Sequence, residues 1–296
     1  GGVGVAVGVG GGADLWGNGR VGLGRSGREI GMNFAGHLLL ALRCCTRIPV
    51  TGAIAKWVGY TPQMLRASAG HFPGVGLLVG AVAALVYAVL AQGLPDTLWT
   101  PLAAAILSTV ATVLLTGAFH EDGLADVADG LGGSSERERA LEIMKDSRVG
   151  VFGALALVLA ALTKAALLAL LGSVDWQLVC AGMLAAHVIS RTWSLLLIRL
   201  LPHVGDSAAS KSKPLADQIS GTSLLTALLW LILTLLIVSR SLDMLDLAAC
   251  LGASGLAFLW MWRLFWRRLQ GFTGDCLGAT QQVCELACYL GLALKA

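Results

Sequence analysis

Long apolar stretches recur along the chain, and shorter polar segments separate them. A helix needs about 20 apolar residues to cross the roughly 30 Å hydrocarbon core of a membrane. Seven stretches meet that length, at 73–93, 98–119, 150–172, 177–201, 221–239, 244–262 and 276–294. A shorter run at 33–46 predicts either an eighth span or a helix that lies in the interface. The pattern therefore predicts an all-α, polytopic integral membrane bundle of about seven to eight spans.

The composition fits a membrane protein, because 56% of the residues are hydrophobic and only 13% are charged. Soluble domains carry roughly 25% charged residues. Residues 1–31 differ from the rest: they are rich in Gly and contain no hydrophobic segment of the kind found in secretory signals. We interpret 1–31 as a flexible leader, or as upstream sequence that is not translated, and 32–296 as the membrane-embedded domain.

Basic residues are concentrated in alternate loops. The loops rich in Lys and Arg are 51–72, 120–149, 202–220 and 263–275. The loops between them, near 94–97, 173–176 and 240–243, hold only Arg240. Because basic loops remain on the cytoplasmic side, the alternation predicts a multi-pass protein of the cytoplasmic (inner) membrane whose loop 120–149 faces the cytoplasm.

The segment 120–130 concentrates carboxylates between two apolar stretches. Asp122, Asp126 and Asp129 are spaced i, i+4 and i+7, so a helix would carry all three within roughly 60° on one face. Three such carboxylates repel each other unless a cation lies between them, and hard oxygen ligands suit Mg²⁺ bound to a substrate phosphate. The alternative is a solvated loop or helix N-terminus, where Asp is common. The common register favours a metal and diphosphate site beside the membrane.

The rest of the loop 120–149 predicts a second helix. Ser134 or Ser135 could cap it, with Glu138 near its third position. A helical hairpin on the membrane surface would return Asp146 to the acidic cluster as a fourth carboxylate, and Arg148 could then bind a phosphate. The alternative is a local surface pair of the two, which contributes little stability.

Polar residues also interrupt the predicted spans. Lys164, His187 and Arg191 could line a polar chamber for an anionic substrate, whereas the alternative is a structural ion pair with Glu285. Two loops on the side of the acidic cluster suit phosphate. These are 210–216, which holds Lys211 and Lys213, and the Gly-rich 271–279, in which Asp275 is expected to cap a helix.

Three motifs together resemble the adenosylcobinamide-GDP ribazoletransferases, also called cobalamin synthases. They are His120-x-Asp122-Gly-Leu-Ala-Asp126-x-x-Asp129-Gly, Asp146-Ser-Arg148-x-Gly150 and Thr273-Gly-Asp275-x-Leu-Gly-Ala. The resemblance covers about 32–296. It implies an inner-membrane, Mg²⁺-dependent enzyme that joins adenosylcobinamide-GDP and α-ribazole, or α-ribazole 5′-phosphate, to give adenosylcobalamin, or its 5′-phosphate, and GMP. It implies these small-molecule substrates and a lipid bilayer as partners, no nucleic acid, and leaves contact with other enzymes of the cobalamin pathway open.

The resemblance also implies roles for the candidate residues. Asp122, Asp126 and Asp129 would bind Mg²⁺, with Asp146 as a further ligand, and one carboxylate or His120 would take the proton from the attacking hydroxyl. The residues expected to contact phosphate or substrate are Arg148, Lys211, Lys213, Asp275 and Arg191.

Three other classes of protein compete with this interpretation. A CDP-alcohol phosphotransferase should carry Arg where Asp126 stands, and an aromatic prenyltransferase should carry a second Asp-rich element on another span. An ion-coupled transporter could use Lys164, Arg191 and Glu285 as a relay, but the sequence shows no internal repeat. The enzyme interpretation therefore leads.

Overall fold

The structure, a computed structural model, describes residues 34–58, 61–205 and 219–295. The leader 1–31 and the basic pair Lys211 and Lys213 lie outside these residues, so the predictions for them stay predictions. The described residues are helical, apart from loops and one isolated β-bridge between His203 and Phe272. Their helices are α1 (Phe34–Cys45), α2 (Gly52–Val58), α3 (Pro62–Ser68), α4 (Phe72–Gly93), α5 (Thr100–Thr116), α6 (Phe119–Gly133), α7 (Arg137–Ile143), α8 (Val151–Val174), α9 (Trp176–Leu200), α10 (Gly221–Val238), α11 (Met244–Arg268) and α12 (Gly274–Lys295).

Five helices of the described residues are long and apolar enough to cross a membrane. They are Gln63–Gly93, which runs through α3, a 3₁₀ turn and α4, together with α8, α9, α10 and α11. The all-α, polytopic architecture is thereby confirmed. The run 33–46 forms α1, whose 12 residues extend only about 18 Å. A helix of that length is too short for the eighth span.

By length and composition, five of the seven predicted stretches qualify as spans among the described residues, or six if a bent pair counts as one, for two reasons. The stretch 98–119 is not one straight helix, because the chain bends by 91° between α5 and α6. Gly117 and Ala118 make this bend with φ angles of 70° and 60°, and the pair counts as a sixth span only if both helices are taken together. The stretch 276–294 does form α12, but its polar side chains keep it out of the set of apolar spans.

Burial divides the helices into an inner and an outer group. In α9, 78% of the most apolar window is buried, against 17% in α8 and 22% in α10. Leu155, Leu159 and Leu229 illustrate the apolar side chains that the outer helices expose, as a lipid-facing surface requires. The polar helix α12 packs against α6, α9 and α11, so it reaches the interior without needing an apolar surface of its own.

The predicted helix in 120–149 exists, but it begins later than expected. It is α7, and Glu136 occupies its N-cap position. The Ser134 hydroxyl accepts a hydrogen bond from the Glu136 backbone N–H at 3.1 Å, ahead of the helix. Ser134 therefore shapes the turn before α7 and does not cap the helix.

Candidate active site

The acidic segment is helical, as its spacing predicted. It forms most of α6, which starts directly after the 91° bend. Along this helix Asp122 is exposed, Asp126 is half-buried and Asp129 is buried. The three carboxylates therefore differ in their access to a ligand.

Asp129 has a partner that the spacing did not reveal. Its Oδ2 accepts the backbone N–H of Gly150 at 2.7 Å, and its Oδ1 accepts that of Gly153 at 2.8 Å. Gly150 is the N-cap residue of α8 and has no side chain with which to cap the helix. Asp129 supplies that cap from α6, which places a negative charge at a helix N-terminus, where the backbone dipole favours it.

The carboxylate of Asp275, on α12, joins Asp122 and Asp126 in place of Asp129. A Cβ on Gly123 would lie 2.7 Å from the Asp275 carbonyl oxygen, and a Cβ on Gly278 would lie 3.1 Å from the His120 carbonyl oxygen. The two glycines thus allow the backbones of α6 and α12 to touch. Asp275 lies in the first turn of α12, not at its cap as predicted, and it is close enough to repel both Asp122 and Asp126.

The surroundings of Asp275 affect its charge. It lies outside the five spanning helices, and burial, together with repulsion from Asp122, raises its pKa. The Thr273 hydroxyl, which donates a hydrogen bond to Asp275 Oδ2 at 3.2 Å, acts in the opposite direction. A cation beside Asp275 would offset the repulsion from Asp122.

The donor chemistry of Asp122, Asp126 and Asp275 fits Mg²⁺. Within the described residues, no group of three or more His, Cys, Asp or Glu side chains is spaced to hold a metal by itself. Mg²⁺ does not need such a group, because it commonly takes one or two carboxylates and completes its octahedron with water and substrate phosphate oxygens. The exposed Asp122 provides a side of the cluster that a phosphate can reach.

Asp146 and Arg148 form the local surface pair that the sequence left as an alternative. The Arg148 Nε donates to Asp146 Oδ1 at 2.9 Å, and the Arg148 backbone N–H donates to the same oxygen at 3.1 Å. The hydrogen bonds from Arg148 lower the pKa of Asp146 to about 2. Arg148 itself is largely exposed, with 87% of its side-chain surface accessible, so it remains accessible to a phosphate.

The polar residues in the spans converge on a buried centre formed by Lys164 on α8, His187 and Arg191 on α9, and Glu285 on α12. Lys164 Nζ lies 2.6 Å from Glu285 Oε1. The structural ion pair is therefore the correct alternative for Lys164. His120 is also buried, on α6, and lies close enough to interact electrostatically with Arg191.

Sequence reasoning gave no role to two contributors to this region. Gln281 donates from Nε2 to Glu285 Oε2 at 2.6 Å, and Gln282 donates from Nε2 to Glu121 Oε1 at 3.1 Å. A signal was present, because Gln281, Glu285 and Tyr289 recur every four residues and so share one face of α12.

The fold and the site define a polytopic membrane protein with a carboxylate cluster of the kind that serves phosphoryl transfer. The chain belongs to the cobalamin-5-phosphate synthase family, whose model matches residues 37–293. This membership supersedes the CDP-alcohol phosphotransferase, prenyltransferase and transporter alternatives.

Curated relatives agree with the family assignment. The chain is 63% identical over 276 residues to the adenosylcobinamide-GDP ribazoletransferase of Polaromonas sp. strain JS666, covering 88% of this chain and 98% of the relative. It is 62% identical over 275 residues to that of Albidiferax ferrireducens, with the same coverage. It is 43% identical over 252 residues to that of Vibrio cholerae, covering 85% of this chain and 91% of the relative. No solved structure matches the chain significantly.

Proposed function

We propose that the chain is an adenosylcobinamide-GDP ribazoletransferase of cobalamin assembly. It transfers the adenosylcobinamide phosphoryl group from adenosylcobinamide-GDP to α-ribazole, or to α-ribazole 5′-phosphate, and releases GMP. The observation that carries this proposal is the 63% identity that extends over 98% of a relative bearing that name. The family model, which matches residues 37–293, includes both the acidic helix α6 and the first turn of α12.

The reaction asks the protein mainly for positioning. A ribose hydroxyl of the acceptor attacks the phosphorus that is joined to the cobinamide side chain, and the bond to the GMP oxygen breaks. Holding the two substrates in line, and balancing the charge on the transferring phosphoryl group, account for most of the catalysis expected in such a transfer. The rigid contact between α6 and α12 at Gly123 and Gly278 suits this task.

Mg²⁺ would balance the charge on the phosphate oxygens during the transfer. Asp122 and Asp126, with Asp275 beside them, are the residues we propose to hold it. We leave Asp129 out of this set, because both of its oxygens accept backbone N–H groups of α8. Asp146 could join only if it exchanged its contacts with Arg148.

The remaining candidates are proposed to accept a proton or to bind phosphate. His120, buried on α6 two residues before Asp122, or one of the carboxylates, is the proposed acceptor of the proton from the attacking hydroxyl. Arg148, Lys211 and Lys213 are proposed to contact phosphate. The loop charges support an inner-membrane protein with this site on the cytoplasmic face.

A turnover assay tests the proposal. Purified protein in liposomes receives adenosylcobinamide-GDP and α-ribazole 5′-phosphate, with Mg²⁺ or with EDTA, and GMP release is measured. We expect turnover that depends on Mg²⁺, is lost in Asp122→Asn, and is retained in Asp96→Asn, a matched change of an exposed Asp outside the cluster. A folded wild type that releases no GMP would refute the function; full activity of Asp122→Asn would refute the proposed metal site alone.

A further inference from the structure

Arg191 is buried in a way that a structural role does not explain. Its side chain is on the inner helix α9, and the residue is 4% exposed. Arg191 Nη1 donates to the carbonyl oxygen of His187 at 3.0 Å, and Arg191 Nε has no hydrogen-bond partner. Among the described residues no carboxylate lies within ion-pair distance of it. A buried guanidinium without an anion is costly, so Arg191 requires a negatively charged partner.

The carboxylate of Glu285 is held by other groups. It receives Lys164 Nζ at 2.6 Å and the Tyr289 hydroxyl at 3.1 Å on Oε1. On Oε2 it receives Gln281 Nε2 at 2.6 Å, and the His187 ring lies beside it, with Nδ1 3.3 Å away. Glu285 therefore neutralises Lys164, and none of its hydrogen bonds comes from Arg191.

This arrangement also fixes the state of His187. Its Nδ1 lies 3.3 Å from Glu285 Oε2 and 3.2 Å from Arg191 Nη1. One ring nitrogen cannot donate to the carboxylate and accept from the guanidinium at once. The hydrogen bond joins Nδ1 to Arg191 Nη1, and a guanidinium only donates, so Nδ1 accepts and the neutral ring carries its proton on Nε2. Both partners of Arg191 Nη1, the ring nitrogen and the carbonyl oxygen of His187, are therefore neutral, and Arg191 Nε has no acceptor.

The position of Arg191 connects it to the acidic helix. It interacts electrostatically with His120 and Glu121, in the first turn of α6 immediately before Asp122. The Glu121 carboxylate is itself held by Gln282 of α12. Arg191 is thus the cation on the inner side of the turn whose outer side carries the proposed metal ligand.

We propose that Arg191 binds a phosphate group of the nucleotide substrate at an inner anion site. A guanidinium is suited to phosphate because its planar fork donates two parallel hydrogen bonds. The identity of the nucleotide rests on the proposed function, whereas the presence of the anion site does not.

The test uses three variants of the full chain in liposomes. Arg191→Lys keeps the charge and loses the planar fork. The double change Lys164→Met with Glu285→Gln removes one charge of each sign beside Arg191 and leaves the guanidinium in place, so it separates the loss of Arg191 from a general disturbance of the buried centre. Lys295→Gln is the matched control, because Lys295 forms an ion pair with Asp243 at the other end of α12. For each variant we would measure kcat, KM for adenosylcobinamide-GDP, the Kd of GMP and of pyrophosphate by calorimetry, and the thermal unfolding midpoint.

We expect Arg191→Lys to raise KM and both dissociation constants about tenfold or more, with kcat changed much less, as loss of ground-state phosphate binding requires. Lys295→Gln should match the wild type, and the double variant should keep both dissociation constants close to the wild-type values. A double variant that unfolds normally but loses phosphate affinity as far as Arg191→Lys does would overturn the assignment of the site to Arg191. Wild-type phosphate affinity in Arg191→Lys would overturn the anion site, and this variant gives an answer even if the double variant does not fold. A wild type that is inactive, yet binds pyrophosphate in an Arg191-dependent way, would refute the proposed function and support the anion site.

Discussion

Replacement of Asp129 by Asn separates a structural role from a metal-binding one. Asp129 gives one oxygen to Gly150 N–H and the other to Gly153 N–H. An Asn side chain can accept only one of these bonds, through its carbonyl oxygen. Its NH₂ group would face the other backbone N–H, so that two hydrogen-bond donors point at each other. The change therefore removes a hydrogen bond to a charged group, at about 1.5–3 kcal/mol, and leaves a buried donor unsatisfied, at about 1–3 kcal/mol.

We expect Asp129→Asn to lower the free energy of unfolding by about 3 kcal/mol, which corresponds to a fall of roughly 6–12 °C in the unfolding midpoint. The exposed Asp122→Asn should shift stability by less than about 0.5 kcal/mol, since it loses no buried partner. Buried thiols such as Cys276 and Cys284 allow the assay, because a thiol-reactive fluorophore reports their exposure during heating in detergent.

The reasoning would be refuted by an Asp129→Asn protein with wild-type thermal stability in EDTA. If that protein also needed much more Mg²⁺ for turnover, Asp129 would be a metal ligand and its contacts with α8 would be secondary. A protein that is destabilised equally with and without Mg²⁺ would support the cap.

Three further outcomes follow from the structure. Gly123→Ala should reduce kcat at least tenfold, because its Cβ would lie 2.7 Å from the backbone of α12 and force the helices apart; Mg²⁺-dependent GMP release measures this. Arg148→Ala should leave the thermal unfolding midpoint unchanged between pH 6 and pH 8, because the exposed pair contributes little stability. The pKa of Asp146 is lowered in the folded protein, so any contribution of the pair is present above about pH 4, the pKa in the unfolded chain. It is lost only as the pH falls towards the lower pKa of the folded protein. Ser241→Cys, in a protein without the exposed Cys44, should react with an impermeant maleimide added outside the cell; labelling only after lysis would reverse the proposed orientation.

The helices were predictable where one physical signal dominates. The apolar runs gave α8 to α11 because hydrocarbon-spanning length and hydropathy suffice to identify them. The same signal misled at α12, where Gln281 and Glu285 stand among apolar residues. It also concealed the bend at Gly117 and Ala118, since hydropathy carries no information about a positive φ angle.

The site was predictable only in part, because its partners are distant in sequence. The i, i+4, i+7 spacing correctly indicated a helix that carries Asp122 and Asp126. It did not indicate that Asp129 would cap α8, since that bond depends on how two helices meet. The approach of Asp275 likewise depends on the crossing of α6 and α12 at paired glycines, which single-chain periodicity does not contain.

The polar character of α12 constrains the order in which the protein can be assembled in the membrane. A segment with Gln281, Gln282 and Glu285 partitions poorly into lipid by itself, since each such group is costly in hydrocarbon. It packs instead in the protein interior formed by α6, α9 and α11, which precede it in the chain. Insertion of α12 is therefore a folding event more than a partitioning event. Because Asp275 and Glu285 both arrive with it, nascent chains still being inserted lack part of the proposed site until α12 docks.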